Sequence, residues 1–200
     1  MAFEVEPASP SDAPQMARVF LAAFSDDFNK TMLPRTEDVR AWVTGHLVGG
    51  SGAKNHEVFL KINDAEGKIV AFAKWALPNA GPDPDPIPDS EEVSWPVSSD
   101  AELCDRFFGT MERYHHELMG ERRHYYLEIL GVDPAYQGYG LGSKLLKWGL
   151  SRADEEGVEV YLCSSPEGRR VYEKYGFEGK IPFSLFPGRE HLFMIRPIRK

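Results

Sequence analysis

The sequence predicts a mixed α/β fold, and three observations carry that expectation. Segments with apolar residues at helical spacing alternate along the chain with short runs rich in Val, Ile, Tyr and Phe. Two hundred residues suit one domain, 1–200, with a substantial core; a chain of this size buries roughly 70% of the surface it exposes when unfolded. Hydrophobic residues make up 42% and charged residues 27%, the balance of an ordinary globular chain. There is no internal repeat.

The elements follow in order. Phe3-Glu4-Val5-Glu6 alternates apolar and charged residues, as an edge strand does. Asp12 is expected to cap a helix with Pro14 in its first turn, Gln15 three residues on, and Ala13, Met16, Val19, Phe20, Ala23 and Phe24 at helical spacing. Another helix is expected from Thr36, carrying Val39, Trp42, Val43 and Leu47, with glycines at 49, 50 and 52 ending it. Residues 58–62 and 68–77 read as two strands joined by a hairpin loop at 63–67; the second is nearly continuous in apolar residues and so central.

Residues 78–97 hold six of the fifteen prolines, interleaved with acids. Proline lacks the amide hydrogen and fixes φ, so this segment reads as an acidic insertion loop, longer than an ordinary connection. Ser99 and Glu102 form a capping box for a helix striped by Leu103, Cys104, Phe107, Phe108, Met111, Tyr114, His115 and Leu118, with Gly120 beyond its end. The remainder reads as strand 125–132, helix 138–156, strand 158–164, helix 166–175, and two strands near 177–181 and 191–196.

Composition excludes several functions. Lys and Arg number 23 against 31 Asp and Glu, a net charge of −8, with no basic stretch to match a phosphate polymer; no nucleic-acid partner is expected. No apolar run approaches the ~20 residues of a membrane span, and residues 1–7 lack the basic-then-apolar pattern of a leader. Asn29-Lys30-Thr31 is then a chance sequon. A cytoplasmic protein, monomeric or homodimeric and without a membrane partner, is the expectation. Cys104 and Cys163 are expected to be reduced thiols, and no His, Cys or acidic spacing suggests a metal.

One segment carries chemistry. The strand 125–132 runs through Asp133-Pro134-Ala135-Tyr136 into Gln137-Gly138-Tyr139-Gly140-Leu141-Gly142-Ser143, where glycines open a helix. Unpaired amides and the positive dipole end of a helix N-terminus form an anion site, and glycines let a phosphate approach the backbone. A packing turn is the plainer alternative. A Walker loop needs Gly-Lys-Ser/Thr, but the order here is Gly142-Ser143-Lys144; a dinucleotide fingerprint needs G-x-G-x-x-G, but the spacing is G-x-G-x-G.

Gln137-Gly138-Tyr139-Gly140-Leu141-Gly142 resembles the Q/R-x-x-G-x-G/A signature of the GNAT superfamily of acetyl-CoA-dependent N-acetyltransferases. Downstream, Val171-Tyr172-Glu173-Lys174-Tyr175-Gly176-Phe177 resembles that family's helix ending in Tyr-Glu-Lys-x-Gly-Phe. The resemblance implies a mixed, mostly antiparallel sheet of about six or seven strands, flanked by helices and splayed between the fourth and fifth strands, with acetyl-CoA in the V. It implies that residues 137–143, namely Gln137, Gly138, Tyr139, Gly140, Leu141, Gly142 and Ser143, hold the pyrophosphate. Backbone groups near Leu130 and Val132 would bond the pantetheine arm and polarise the thioester. Tyr172 matches the tyrosine that protonates the departing thiolate; Tyr175, three residues on, is its rival. Many members carry Asn where this chain has Ser165, which also reads as an N-cap before Pro166.

Acetyl transfer to an amine needs a base, because an amino group is protonated at neutral pH. Glu128 is the lone charge within its strand and is the expected base; simple alternation puts it on the same face as Val132. The alternatives are a Glu128 that points to solvent or pairs with a basic neighbour such as Arg122, a water relay, and His124. Cys163 is a further, less usual nucleophile. The acidic balance favours a small cationic acceptor such as a polyamine or an amino sugar, and aromatics such as Phe24, Phe28, Trp42, Trp75 and Trp95 are available to line its pocket. A protein N-terminus or lysine, and a non-catalytic acyl-CoA-binding module, are the alternative readings.

Overall fold

The computed structural model describes residues 3–49, 56–78 and 95–199. Most of the insertion expected at 78–97 therefore lies outside the described residues. Seven strands form one sheet: β1 (Glu6–Pro7), β2 (Glu57–Asn63), β3 (Ile69–Ala76), β4 (His124–Val132), β5 (Glu159–Ser164), β6 (Glu178–Phe186) and β7 (Arg189–Arg196). Their spatial order is β1-β2-β3-β4-β5-β7-β6, and every pairing is antiparallel except β4 with β5. The helices are α1 (Ala13–Ala23), α2 (Asp27–Met32), α3 (Glu37–Gly49), α4 (Ala101–Met119), α5 (Leu141–Glu156) and α6 (Arg169–Lys174).

The apolar periodicities explain the layers. One core cluster packs Leu141, Leu145, Leu146, Leu150 and Ala153 of α5 against Val70, Ala71, Ala73 and Trp75 of β3 and Leu127 of β4. A second packs Met16, Ala17 and Val19 of α1 and Val39, Val43 and Leu47 of α3 against Phe59 and Phe72. A third joins Met119 of α4 to Tyr161, Phe193 and Ile195. Strand β3 is an interior strand, as its continuous apolar run predicts: Val70 to Ala73 and Trp75 are all fully covered, because helices lie on both of its faces.

Several local expectations change. The strand expected at 3–6 pairs only at Glu6 and Pro7. Asp12 precedes α1 without a side-chain capping bond; its carboxylate instead accepts from the Ser9 amide and from Lys61. Gln15 accepts from the Ile69 amide on β3. The capping residue of α4 is Asp100, which accepts from the Leu103 amide, so Ser99 is one residue too early. Helix α2 has too few residues to show a period, yet Asp26 caps it through the Asn29 amide and side chain.

Candidate active site

The sheet opens between β4 and β5. The two strands pair from His124–Glu159 to Leu127–Leu162 and no further. β4 continues to Val132, while β5 turns its other edge to β7 through Cys163–Phe193 and Ser164–Leu192. The departure coincides with a β-bulge: Trp75 faces Leu127 and Lys74 faces Ile129, which leaves Glu128 as the extra residue. An inserted residue bends and twists its strand, and here it swings the end of β4 away from β5.

The bulge also resets which way the side chains point. Ile129 joins the α1 side of the sheet, whereas Leu130 and Val132 pack on the α5 side. Glu128 therefore does not share a face with Val132, as uniform alternation predicted; its Oε2 lies 2.7 Å from Lys74 Nζ, on the face of Ile129. Nor is Arg122 its cation, since Arg122 pairs with Glu159 at the closed end of the strands. The Asp133 amide donates to Val70 O at 2.8 Å, which sets the hydrogen-bonding phase along β4. Alternate residues Ile129 and Gly131 then turn their backbone groups to β3, and Leu130 and Val132 turn theirs into the gap.

Beyond Val132 the chain makes a short 3₁₀ turn at Pro134–Tyr136, with Asp133 accepting from the Ala135 amide. Arg18 of α1 anchors the turn by donating to Asp133 at 2.8 Å. Gly138 (φ 84°) and Gly140 (φ 76°) take left-handed conformations that a side chain disfavours, and the second is the N-cap of α5. The first amide of α5 with a partner in its own turn is Lys144, which donates to Gly140 O at 3.1 Å. The amides of Leu141, Gly142 and Ser143 precede it in the unpaired first turn, at the mouth of the V. A methyl group on Gly142 would stand 3.6 Å from Val132 and 3.8 Å from Leu130, so α5 starts directly against the open end of β4. Gln137 donates from its side chain to Val132 O at 3.4 Å, and Tyr139 is 66% exposed against the Phe3 ring.

Tyr172 lies on the β5 side of the opening. Its ring covers Gly168, where a Cβ would come within 2.8 Å of it, and stands edge-on to Phe177 at 5.7 Å. Burial, with the nearby Cys163 next, holds its hydroxyl protonated well above the ordinary tyrosine range. Tyr175 differs: its ring faces Lys147 of α5, and its carbonyl accepts from Arg196 and Arg199. Ser165 caps the turn before α6 by accepting from the Gly168 amide, and α6 itself starts at Arg169 rather than 166. Burial pushes the Cys163 thiol up to about 12, so it is a poor nucleophile at neutral pH.

His124 stands at the closed end of β4, not in the opening. Its Nδ1 donates to Arg122 O at 2.6 Å, which leaves Nε2 to accept from His115 Nε2 at 2.7 Å. Burial lowers both imidazoles, His115 to about 4. Among the described residues no group of three or more His, Cys, Asp or Glu side chains is arranged for a metal ion, and no helix is long and apolar enough to cross a membrane.

Sequence reasoning missed two features. One is Tyr126, whose hydroxyl burial holds protonated, with the Glu128 charge adding to the effect. The other is Lys74, the single cation in the run 69–76, placed between Glu128 and Glu57. The signal that singled out Glu128, a lone charge in an apolar strand, applies equally to Lys74.

A parallel strand pair that parts at a bulge, with a glycine-opened helix N-terminus at the mouth, is the arrangement that the sequence resemblance implied. The profile of the Acetyltransferase (GNAT) family matches residues 14–177, and the chain belongs to that family. The fold is shared with solved structures across the full length. Arylalkylamine N-acetyltransferase 2 from Aedes aegypti matches with a TM-score of 0.69 at 17% identity, covering 100% of both chains. A histone acetyltransferase HPA2-related acetyltransferase from Corynebacterium glutamicum matches with a TM-score of 0.64 at 21% identity, covering 100% of this chain and 98% of that one. The PaiA N-acetyltransferase from Thermoplasma acidophilum, solved with coenzyme A, matches with a TM-score of 0.56 at 15% identity, covering 98% and 99%.

Proposed function

We propose that the protein transfers an acetyl group from acetyl-CoA to the primary amine of a small cationic molecule, by direct attack on the thioester. The observation that carries this reading is the gap above Leu127 and Leu162, where backbone groups of β4 that bond neither β3 nor β5 meet the first-turn amides of α5. The whole chain acts as one catalytic domain with an insertion at 78–97.

In this reading the amides at 138–143 receive the pyrophosphate, backed by the helix dipole, with Gln137 beside them. The backbone of Leu130 and Val132 aligns the pantetheine arm, and an N–H there faces the thioester oxygen. Such a fixed donor is worth more as negative charge develops on that oxygen, which speeds the step. The amine nitrogen attacks the carbonyl carbon, a C–N bond forms and the C–S bond breaks. The amine proton passes to Glu128, directly or through one water, and the leaving thiolate takes its proton from Tyr172. Burial keeps the proton on that hydroxyl in the resting enzyme, so it is present when the basic thiolate departs. The acidic surface balance of −8 supports a cationic acceptor by steering it inward.

Calorimetric titration with acetyl-CoA, followed by a thiol-release assay over polyamines, amino sugars, arylalkylamines and a lysine peptide, tests the reading. Binding with release on a small amine is expected. Release on the peptide alone would transfer the activity to a protein acceptor. Binding with no release on any amine would leave an acyl-CoA-binding module, and no binding would overturn the reading.

A further inference from the structure

A row of three charges crosses the sheet on the face that carries Ile129. Glu57 of β2, Lys74 of β3 and Glu128 at the bulge of β4 sit on adjacent strands, with Lys74 Nζ 3.0 Å from Glu57 Oε1 and 2.7 Å from Glu128 Oε2. All three side chains are largely covered, at 17%, 17% and 24% exposure, so solvent screens the row only in part. The Lys74 ammonium also lies over the Phe59 ring. Burial disfavours that ammonium, but the Glu128 and Glu57 carboxylates outweigh it, and Lys74 titrates above its ordinary range. The lysine is therefore a fixed positive charge that two carboxylates share.

We propose that Glu57 is a positioning residue for acetyl transfer: by dividing the Lys74 ammonium with Glu128, it keeps Glu128 a competent acceptor for the amine proton. This rests on Glu128 being the base. A carboxylate that owned the ammonium alone would be a weaker proton acceptor, and one facing Glu57 without the ammonium would be a stronger one. The bulge gives the row its use, because it carries the last carboxylate to the place where β4 leaves β5.

Other ionisable groups stand nearby. Tyr126 shares β4 with Glu128, and Tyr161 and Cys163 on β5 and His115 on α4 are neighbours of its ring. Burial keeps both tyrosines and the thiol protonated, and it keeps His115 neutral down to about 4. None of them adds charge to the row near neutral pH.

The test is a pH profile of kcat/KM for three variants with the best acceptor amine. Glu57→Gln keeps the shape and an acceptor oxygen for Lys74, and should move the acid limb to lower pH by about one unit while lowering the plateau. Lys74→Met should move the same limb the other way. Circular dichroism and acetyl-CoA titration establish that each variant is folded and binds its co-substrate. Limbs that stay in place in both variants, or move in the same direction, would overturn the role of Glu57. Glu128→Gln separates that failure from failure of the base assignment, because an unchanged profile in that variant removes Glu128 itself.

Discussion

Helix α5 is held against the sheet at Gly149, and that contact can be tested by adding one methyl group. A Cβ at 149 would lie 2.4, 2.5 and 2.7 Å from three atoms of the Trp75 indole. Trp75 is fully buried at the centre of β3, so its ring has no free space to enter. Overpacking of this kind costs about 3 kcal/mol, the upper end for a well-packed core, because all three contacts are to a rigid ring. Alanine in a helix interior returns about 1 kcal/mol relative to glycine. The net expectation for Gly149→Ala is a loss of about 2 kcal/mol, which for a chain of this size lowers Tm by about 4–8 °C. Thermal unfolding followed by circular dichroism measures it. Because the same helix presents the amides of 141–143 at its start, acetyl-CoA affinity should fall as well. Trp75→Phe removes the clashing atoms while the helix propensity of alanine is kept, so the double variant should lose about 3 kcal/mol less than the sum of the singles. A Gly149→Ala protein as stable as the parent, or more stable through helix propensity alone, would refute the packing argument.

Three further outcomes follow from the geometry. Gly140→Ala forces a side chain into φ 76°, which costs about 1–2 kcal/mol at the mouth of the site, and acetyl-CoA titration should show weaker binding with the fold intact. Tyr172→Phe should lower kcat by about a hundredfold with little change in acetyl-CoA affinity; an unaltered kcat would remove its role as acid. His191 is buried among Phe28, Phe107 and Phe183, and burial holds its imidazole down at about 4. Its folded pKa lies below its unfolded value of about 6.5, so the unfolded chain takes up the proton first and stability is lost as pH falls from 6.5 to 4. That loss is on the order of 3 kcal/mol, and urea unfolding of His191→Phe between pH 7 and 4.5 should show a shallower decline than the parent.

Much of the site was readable because local rules produce it. Glycines that must take positive φ, followed by a leucine period, specify the loop and helix at 137–156 without reference to the rest of the chain. The Tyr-Glu-Lys-x-Gly-Phe segment placed Tyr172 correctly on the short α6. Glu128 stood out as an unusual charge and a basic neighbour was foreseen for it, yet its face was misread and the neighbour is Lys74 rather than Arg122. Alternation assumes an unbroken strand, and no local pattern announces the extra residue. Helix α2, six residues long, was invisible for a related reason: one and a half turns carry no period.

The sequence alone determined the order of most elements, the glycine-opened start of α5 and the resemblance to the acetyltransferase family, since each depends on residues close together in the chain. The tertiary structure alone decided where the sheet opens, which way Glu128 points and which lysine it meets. Those depend on the register between β3 and β4, set by side chains some fifty residues apart packing on two faces at once. The linkage of Glu57, Lys74 and Glu128 exists only because three strands lie side by side.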